Sequence, residues 1–157
     1  MTNNLVIVFT RNPELGKVKT RLAKTIGDTS ALIVYKYLLE HTQTTIQNLN
    51  CEKAVFYSEE VIQNDIWDNN IYTKFLQVGN NLGERMLNAY KLCFDNNYTK
   101  IIIVGSDLLD LKPIHINNAF KQMDNHDIVI GPAQDLSLIH ISEPTRLESK
   151  SRFPECA

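Results

Sequence analysis

The sequence predicts an α/β fold, a three-layer α/β/α sandwich on a mostly parallel sheet. Three observations carry this. Apolar runs of strand length alternate with segments of helical spacing along the chain. The run Ile101-Ile102-Ile103-Val104 is apolar on both of its faces, as a strand covered by helices on each side must be. Strands alternating with helices imply right-handed crossovers and helices on both faces of the sheet.

The elements follow in order. Leu5–Thr10 reads as the first strand. A loop punctuated by Pro13 and Gly16 leads into a short helix over Lys17–Ile26, which Gly27 stops. Asp28 or Thr29 caps a longer helix reaching about Leu49, with Leu32, Tyr35, Leu39, Ile46 and Leu49 at roughly helical spacing. Glu52–Tyr57 is a second strand. Val61 to Asn69 is ambiguous, with a short helix bearing Trp67 as one reading. Lys74–Val78 is a third strand. Asn81 caps a helix from Leu82 to about Phe94, with Glu84 placed to complete a capping box. Lys100–Gly105 is the clearest strand. Pro113 opens a helix to about Met123, and Asp127–Ile130 is a fifth strand.

A chain of 157 residues makes at most one domain, long enough to bury a core. The net charge of −2 disfavours nucleic-acid binding, so any phosphate ligand must be held by a local patch. Cys51, Cys93 and Cys156 have no metal-knuckle or redox-pair spacing, which suits a reducing cytosol. Leu5 to Phe9 is too short for a signal peptide or a membrane span, so a cytoplasmic protein with no membrane partner is expected.

Ligands of open α/β sheets sit beyond the C-terminal ends of the strands. After the first strand come Arg11, Gly16, Lys17, Lys19 and Arg21. After the central strand come Gly105, Ser106, Asp107 and Asp110. After the fifth come Gly131, Pro132, Ala133, Gln134 and Asp135. Cations and carboxylates thus converge on one edge. Cations bind a diphosphate directly, whereas carboxylates need a divalent metal between, so the pairing implies Mg²⁺ or Mn²⁺. Gly16-Lys17 is followed by Val18 where a Walker loop needs Ser or Thr, and no G-x-G-x-x-G follows the first strand. An ATPase and a nicotinamide dehydrogenase are both disfavoured. Plainer readings stand beside these. Lys17, Lys19, Arg21 and Lys24 also suit the solvated face of a helix, Asp107 and Asp110 suit turns, and Arg85 suits the surface. Trp67 and Tyr90 suit packing rather than base stacking.

Four segments in order shift the balance. Phe9-Thr10-Arg11-Asn12-Pro13-Glu14-Leu15-Gly16-Lys17-Val18-Lys19-Thr20-Arg21-Leu22 resembles the opening motif of a bacterial glycosyltransferase-like family, the radical-SAM/selenodomain-associated or arsenosugar-biosynthesis transferases. Leu82-Gly83-Glu84-Arg85-Met86 resembles its middle motif. Gly105-Ser106-Asp107-Leu108-Leu109-Asp110-Leu111 and Gly131-Pro132-Ala133-Gln134-Asp135 resemble its last two. That family belongs to the nucleotide-diphospho-sugar transferase superfamily. The resemblance implies a GT-A-like, Rossmann-type fold, a nucleotide bound over the first loop, and a metal near Asp107. The expected site is Asp107 as metal ligand, Arg11, Gly16, Lys17, Lys19 and Arg21 on the phosphates, and Asp135 as a second metal ligand or a group orienting the acceptor.

Two departures matter. The family has Cys-Pro where this chain has Leu108-Leu109, and it continues past the match to Asp135 with Gly-Gly-Tyr-Tyr. Here Leu136-Ser137-Leu138-Ile139-His140-Ile141-Ser142-Glu143-Pro144-Thr145-Arg146 resembles a translated sequencing adapter. The expected organisation is a C-terminally truncated transferase-like domain over residues 1–135 and a non-native tail over 136–157. The expected function is metal-dependent transfer from a nucleotide-diphosphate donor, glycosyl transfer from a nucleotide sugar to a small-molecule acceptor first. A nucleotidyltransferase using a nucleoside triphosphate and releasing pyrophosphate is one alternative. A non-catalytic nucleotide-binding fragment is the other.

Overall fold

The structure, a computed structural model, describes residues 3–130 and the backbone of residues 138–141. Its elements run β1 (Asn4–Thr10), α1 (Thr20–Ile26), α2 (Asp28–Ile46), β2 (Glu52–Tyr57), β3 (Tyr72–Leu76), α3 (Leu82–Asp95), β4 (Lys100–Gly105), α4 (Pro113–Gln122), β5 (Ile128–Ile130) and β6 (Leu138–Ile141). The sheet order is β3-β2-β1-β4-β6-β5. The first four strands in that order are mutually parallel, and β6 is antiparallel to both its neighbours. This is the expected mostly parallel α/β sheet flanked by helices.

Alternation along the strands divides the core. Val6, Val8, Ile102 and Val104 point to one face, where Tyr35 and Leu39 of α2 and Ile116 and Phe120 of α4 cover them. Leu5, Ile7, Ile101 and Ile103 point to the other, under Met86, Ala89, Tyr90 and Cys93 of α3. The period of two along β1 and β4 thus produces both apolar layers from the same strands. Each of these β1 and β4 side chains is at most 3% exposed.

One crossover departs from the expected hand. The β1-α2-β2 connection and the β4-α4-β5 connection run in opposite directions across the sheet, yet α2 and α4 pack on the same face. Two parallel crossovers with those properties have opposite hands, so both cannot follow the right-handed rule.

Local chemistry explains where the boundaries fall. The predicted start of α1 at Lys17 moves to Thr20, because Val18 is buried in the core and Lys19 takes a left-handed conformation (φ 49°). Asn81 caps α3 as predicted, its Oδ1 accepting from Glu84 N at 2.9 Å. The returning Glu84 carboxylate accepts from Asn80 N rather than from the cap residue itself. β3 lies two residues earlier than predicted, because Tyr72 pairs with Lys53 and packs edge-on against Trp67 at 5.1 Å. The ambiguous stretch over Val61 to Asn69 forms no helix. Asp65 organises it, accepting from Tyr57 Oη at 2.6 Å, Lys74 Nζ at 2.9 Å and Trp67 N at 3.0 Å. Burial, with the Asp65 carboxylate second, pushes the Tyr57 phenol up. Burial likewise raises the Tyr72 phenol, and it raises the Cys93 thiol to about 12.

β6 falls within the segment that resembles an adapter. A parallel sheet ending at β4 presents an open edge of N–H and C=O groups, and the sequence Leu-Ile-His-Ile has the β-branched character to pair with one. Asp135, with the rest of Gly131–Asp135, lies outside the described residues.

Candidate functional site

β1 and β4 are neighbours at the point where the strand order reverses, and a crevice opens beyond their C-terminal ends. A cavity of about 620 Å³ occupies it. Its walls come from the loop after β1 (Thr10, Arg11, Asn12, Lys17), from Ser58 and Glu59 after β2, from Gln77 to Met86 around the start of α3, and from Gly105, Ser106 and Asp107 after β4. That volume is ample for a nucleotide.

The loop after β1 is presented by alternation. Val18 is sunk into the core at 2% exposure, so Lys17 and Lys19 on either side of it are turned outward. Gly16 has φ 79°, a conformation that L side chains rarely adopt, and it makes the turn into this segment. Lys19 Nζ meets Asp107 Oδ2 at 2.9 Å, joining the loop after β1 to the loop after β4, with the two side chains 31% and 40% exposed. The basic lip and the central aspartate therefore do converge. Lys17 is paired with Glu14 at 2.7 Å and with Glu59 at 3.5 Å. The hydrogen bond and charge of Glu14, then the charge of Glu59, hold its ammonium above the ordinary lysine range. Arg11 is exposed and lines the cavity. Gly16 shapes the loop without lining the cavity, Lys19 touches its border only through Asp107, and Arg21 is exposed on α1 outside the lining.

Several residues at this site have only local, unremarkable signals in the sequence. Asn12 is 4% exposed and ties the loop after β1 to the loop after β2. Its Oδ1 accepts from Glu59 N at 3.0 Å and Glu60 N at 3.3 Å, and its Nδ2 donates to Glu60 O at 2.9 Å. Gln77 Nε2 donates to Thr10 O at 3.2 Å and Phe56 O at 2.9 Å. Arg85, expected on the surface, is half-buried in the cavity wall, its Nε donating to Gly79 O at 3.1 Å and its Nη1 to Gln77 Oε1 at 3.3 Å. Gly79 brings its backbone so close to α3 that a Cβ there would stand 2.8 Å from Arg85 N. Asn12 lies two residues past the predicted first strand, and Gln77, inside the predicted third strand, follows the observed β3 directly, so a polar residue near a strand end is the available signal.

Among the described residues, no group of three His, Cys, Asp or Glu side chains gathers as a metal cluster. Asp107 alone brings a carboxylate to the end of β4 at the cavity. A single carboxylate does not make a protein-built cage. It does suit Mg²⁺, which keeps several waters and takes further ligands from phosphates. Among the described residues, no helix is long and apolar enough to cross a membrane.

The fold and site can be set beside known proteins. No protein of curated function matches the chain in sequence. A protein of Desulfovibrio desulfuricans G20 described as a nucleotide-diphospho-sugar transferase superposes with a TM-score of 0.79 at 26% identity, over 90% of this chain and 64% of its own. A cytidylyltransferase from Leptospira borgpetersenii serovar Hardjo-bovis (strain JB197) shares the fold with a TM-score of 0.57 at 19% identity, over 96% of this chain and 64% of its own. A 4-diphosphocytidyl-2C-methyl-D-erythritol synthase does so with a TM-score of 0.54 at 14% identity, over 86% of this chain and 62% of its own. The chain thus spans less than two-thirds of the length of each of these structures. Residues 41–136 match the family described as "Uncharacterized protein conserved in bacteria (DUF2064)", and with more than half of its length inside that match, the chain belongs to the DUF2064 family.

Proposed function

We propose that this chain forms the nucleotide-binding part, residues 1–135, of a cytoplasmic, divalent-metal-dependent transferase. Its donor is a nucleotide diphosphate, and the group moved is a glycosyl unit from a nucleotide sugar to a small-molecule acceptor. The observation that carries this is the Lys19–Asp107 pair, which puts a cation and a carboxylate 2.9 Å apart at the strand-order reversal of a doubly wound sheet. The likeness to the Desulfovibrio protein, and the resemblance of the opening motif to the radical-SAM-associated and arsenosugar-biosynthesis transferases, support the same reading.

Transfer from such a donor needs stabilisation of the charge that builds on the leaving diphosphate more than covalent chemistry. Arg11, Lys17 and Lys19 supply the protein's share. Arg11 offers a planar fork suited to two phosphate oxygens. Lys17 and Lys19 are held by exposed carboxylates, and exposed ion pairs are worth only about 0–1 kcal/mol, so a phosphate competes for them readily. Asp107 would hold a Mg²⁺ or Mn²⁺ ion, which when bound would spread the diphosphate's charge. Asp135 would be a second ligand to that ion or would orient the acceptor.

The test is calorimetric titration of a panel of nucleoside diphosphates with Mg²⁺ or with EDTA. The wild-type protein should bind more tightly with the ion. Asp107→Ala should bind equally in both, and an unchanged metal dependence in that variant would remove Asp107 from the role. Incubation with sugar donors should release nucleoside diphosphate. Pyrophosphate released from a nucleoside triphosphate would replace the glycosyl reading with a nucleotidyl one, and metal-dependent binding without turnover would leave a binding module.

A further inference from the structure

The β1–β4 ladder ends at the rung Phe9–Gly105. Beyond that rung the two chains part to make the crevice. One oxygen spans the gap. Tyr35 Oη, carried on α2, accepts from Arg11 N at 2.9 Å and lies 3.1 Å from Arg11 O. It is also 3.3 Å from Thr10 Oγ1 and 2.9 Å from Ser106 Oγ. About two turns further along α2, Thr42 Oγ1 lies 2.9 Å from Ser106 O. Tyr35 is 4% exposed and Ser106 is 4% exposed.

A phenol has one proton to give and two lone pairs to offer. Here it has four near neighbours, three at the end of β1 and a serine after β4, so its valences are all engaged. Packing does not require the hydroxyl, because a phenylalanine ring would fill the same place in the core. The oxygen's specific work is to join the backbone at Arg11 to the side chain next to Asp107.

We infer that Tyr35 is a positioning residue for the site. Its hydroxyl sets the spacing between the loop that carries Arg11, Lys17 and Lys19 and the loop that carries Asp107. It thereby sets the gap that a diphosphate must fill. What fills the gap rests on the transferase reading; the spacing itself does not.

The experiment uses the full chain and Tyr35→Phe, with Ser106→Ala as a second variant that cuts only the β4 side of the bridge. Amide hydrogen exchange is followed residue by residue, and affinity for a nucleoside diphosphate with Mg²⁺ is measured in parallel. In Tyr35→Phe, exchange at Arg11 and at Ser106 and Asp107 should accelerate by about tenfold while the central residues of β2 keep wild-type protection, and affinity should fall by about tenfold. Ser106→Ala should loosen Asp107 without loosening Arg11. Wild-type protection at both loops in Tyr35→Phe overturns the inference, as does loss of protection with unchanged affinity. Loss of protection at both loops in a protein whose wild type binds no nucleotide upholds the spacing role and removes the transferase reading instead. If Tyr35→Phe fails to fold, Ser106→Ala alone decides, by the same exchange pattern at Asp107.

Discussion

Two kinds of polar contact border the crevice: the amides of Asn12 and Gln77, and the ion pair of Lys19 with Asp107. Asn12 and Gln77 spend their hydrogen-bonding groups on neighbouring backbone, and Asn12 is almost fully buried. Lys19 and Asp107 make one long-range ion pair with both side chains partly in solvent. The difference separates two tasks. Saturated buried amides hold segments of chain together, since leaving such groups unpaired is costly. A half-exposed ion pair contributes little to stability and exchanges its partners easily, which is what a cation waiting for a phosphate needs.

Substitutions can break that contrast. The largest effect on stability is expected from Asn12→Ala, which strips partners from Glu59 N, Glu60 N and Glu60 O at once. A loss of about 2–3 kcal/mol is expected by urea denaturation, and the m-value should not change. Lys19→Met breaks the ion pair instead. It should leave the urea midpoint nearly where it was, yet weaken diphosphate binding by about 1.5–3 kcal/mol in titrations. Equal stability losses for the two variants would erase the distinction between the amides and the ion pair.

Raising pH probes the packing of the core instead. The Cys93 thiol and the Tyr57 and Tyr72 phenols all have folded values above their ordinary ones, because the fold buries them. The protonated form is therefore the one the folded state prefers. Their contribution is complete below pH 9 and is lost as pH rises, first from Cys93 and above pH 10 from the tyrosines. Each group should steepen the decline by about 1.4 kcal/mol per pH unit once its unfolded form ionises. Denaturation midpoints measured from pH 8 to 11 check this, and Tyr57→Phe should flatten the upper part of the curve. The smallest effect belongs to Arg21→Ala. Exposed on α1 and off the cavity wall, Arg21 should change stability and binding by no more than about 0.5 kcal/mol. A larger loss of binding would bring α1 into the site after all.

Much of this architecture is legible from local pattern. β2 and β4 begin and end where the sequence predicts, and β1 differs by one residue. The convergence of the Lys19 loop on Asp107 also follows from sequence, since the sheet type alone sends both to one edge. What is not legible is anything decided by a distant partner. β3 shifts because Tyr72 finds Trp67 and pairs with Lys53, and no window of five residues contains that information. Helix α1 starts late because Val18 has a place in the core, which outranks the helical propensity of its neighbours. Tyr35 has the spacing of an ordinary core residue, and only its hydroxyl's partners, 24 and 71 residues away, make it more. The alternation over Leu138–Ile141 pairs into the sheet whatever its origin, because an unpaired edge accepts any segment of suitable β character.

Val18 has one more implication, for how this stretch of chain tolerates change. Its burial works as a peg between two outward ammonium groups, so what matters is the count of residues from Gly16 to Thr20. Swapping either lysine for arginine keeps the peg seated. Deleting or adding one residue there rotates an ammonium into the hydrocarbon core that Val18 enters, a place where an unpaired charge is prohibitively unfavourable. Loop length here is accordingly a stricter requirement than loop composition, the reverse of what holds for most surface connections.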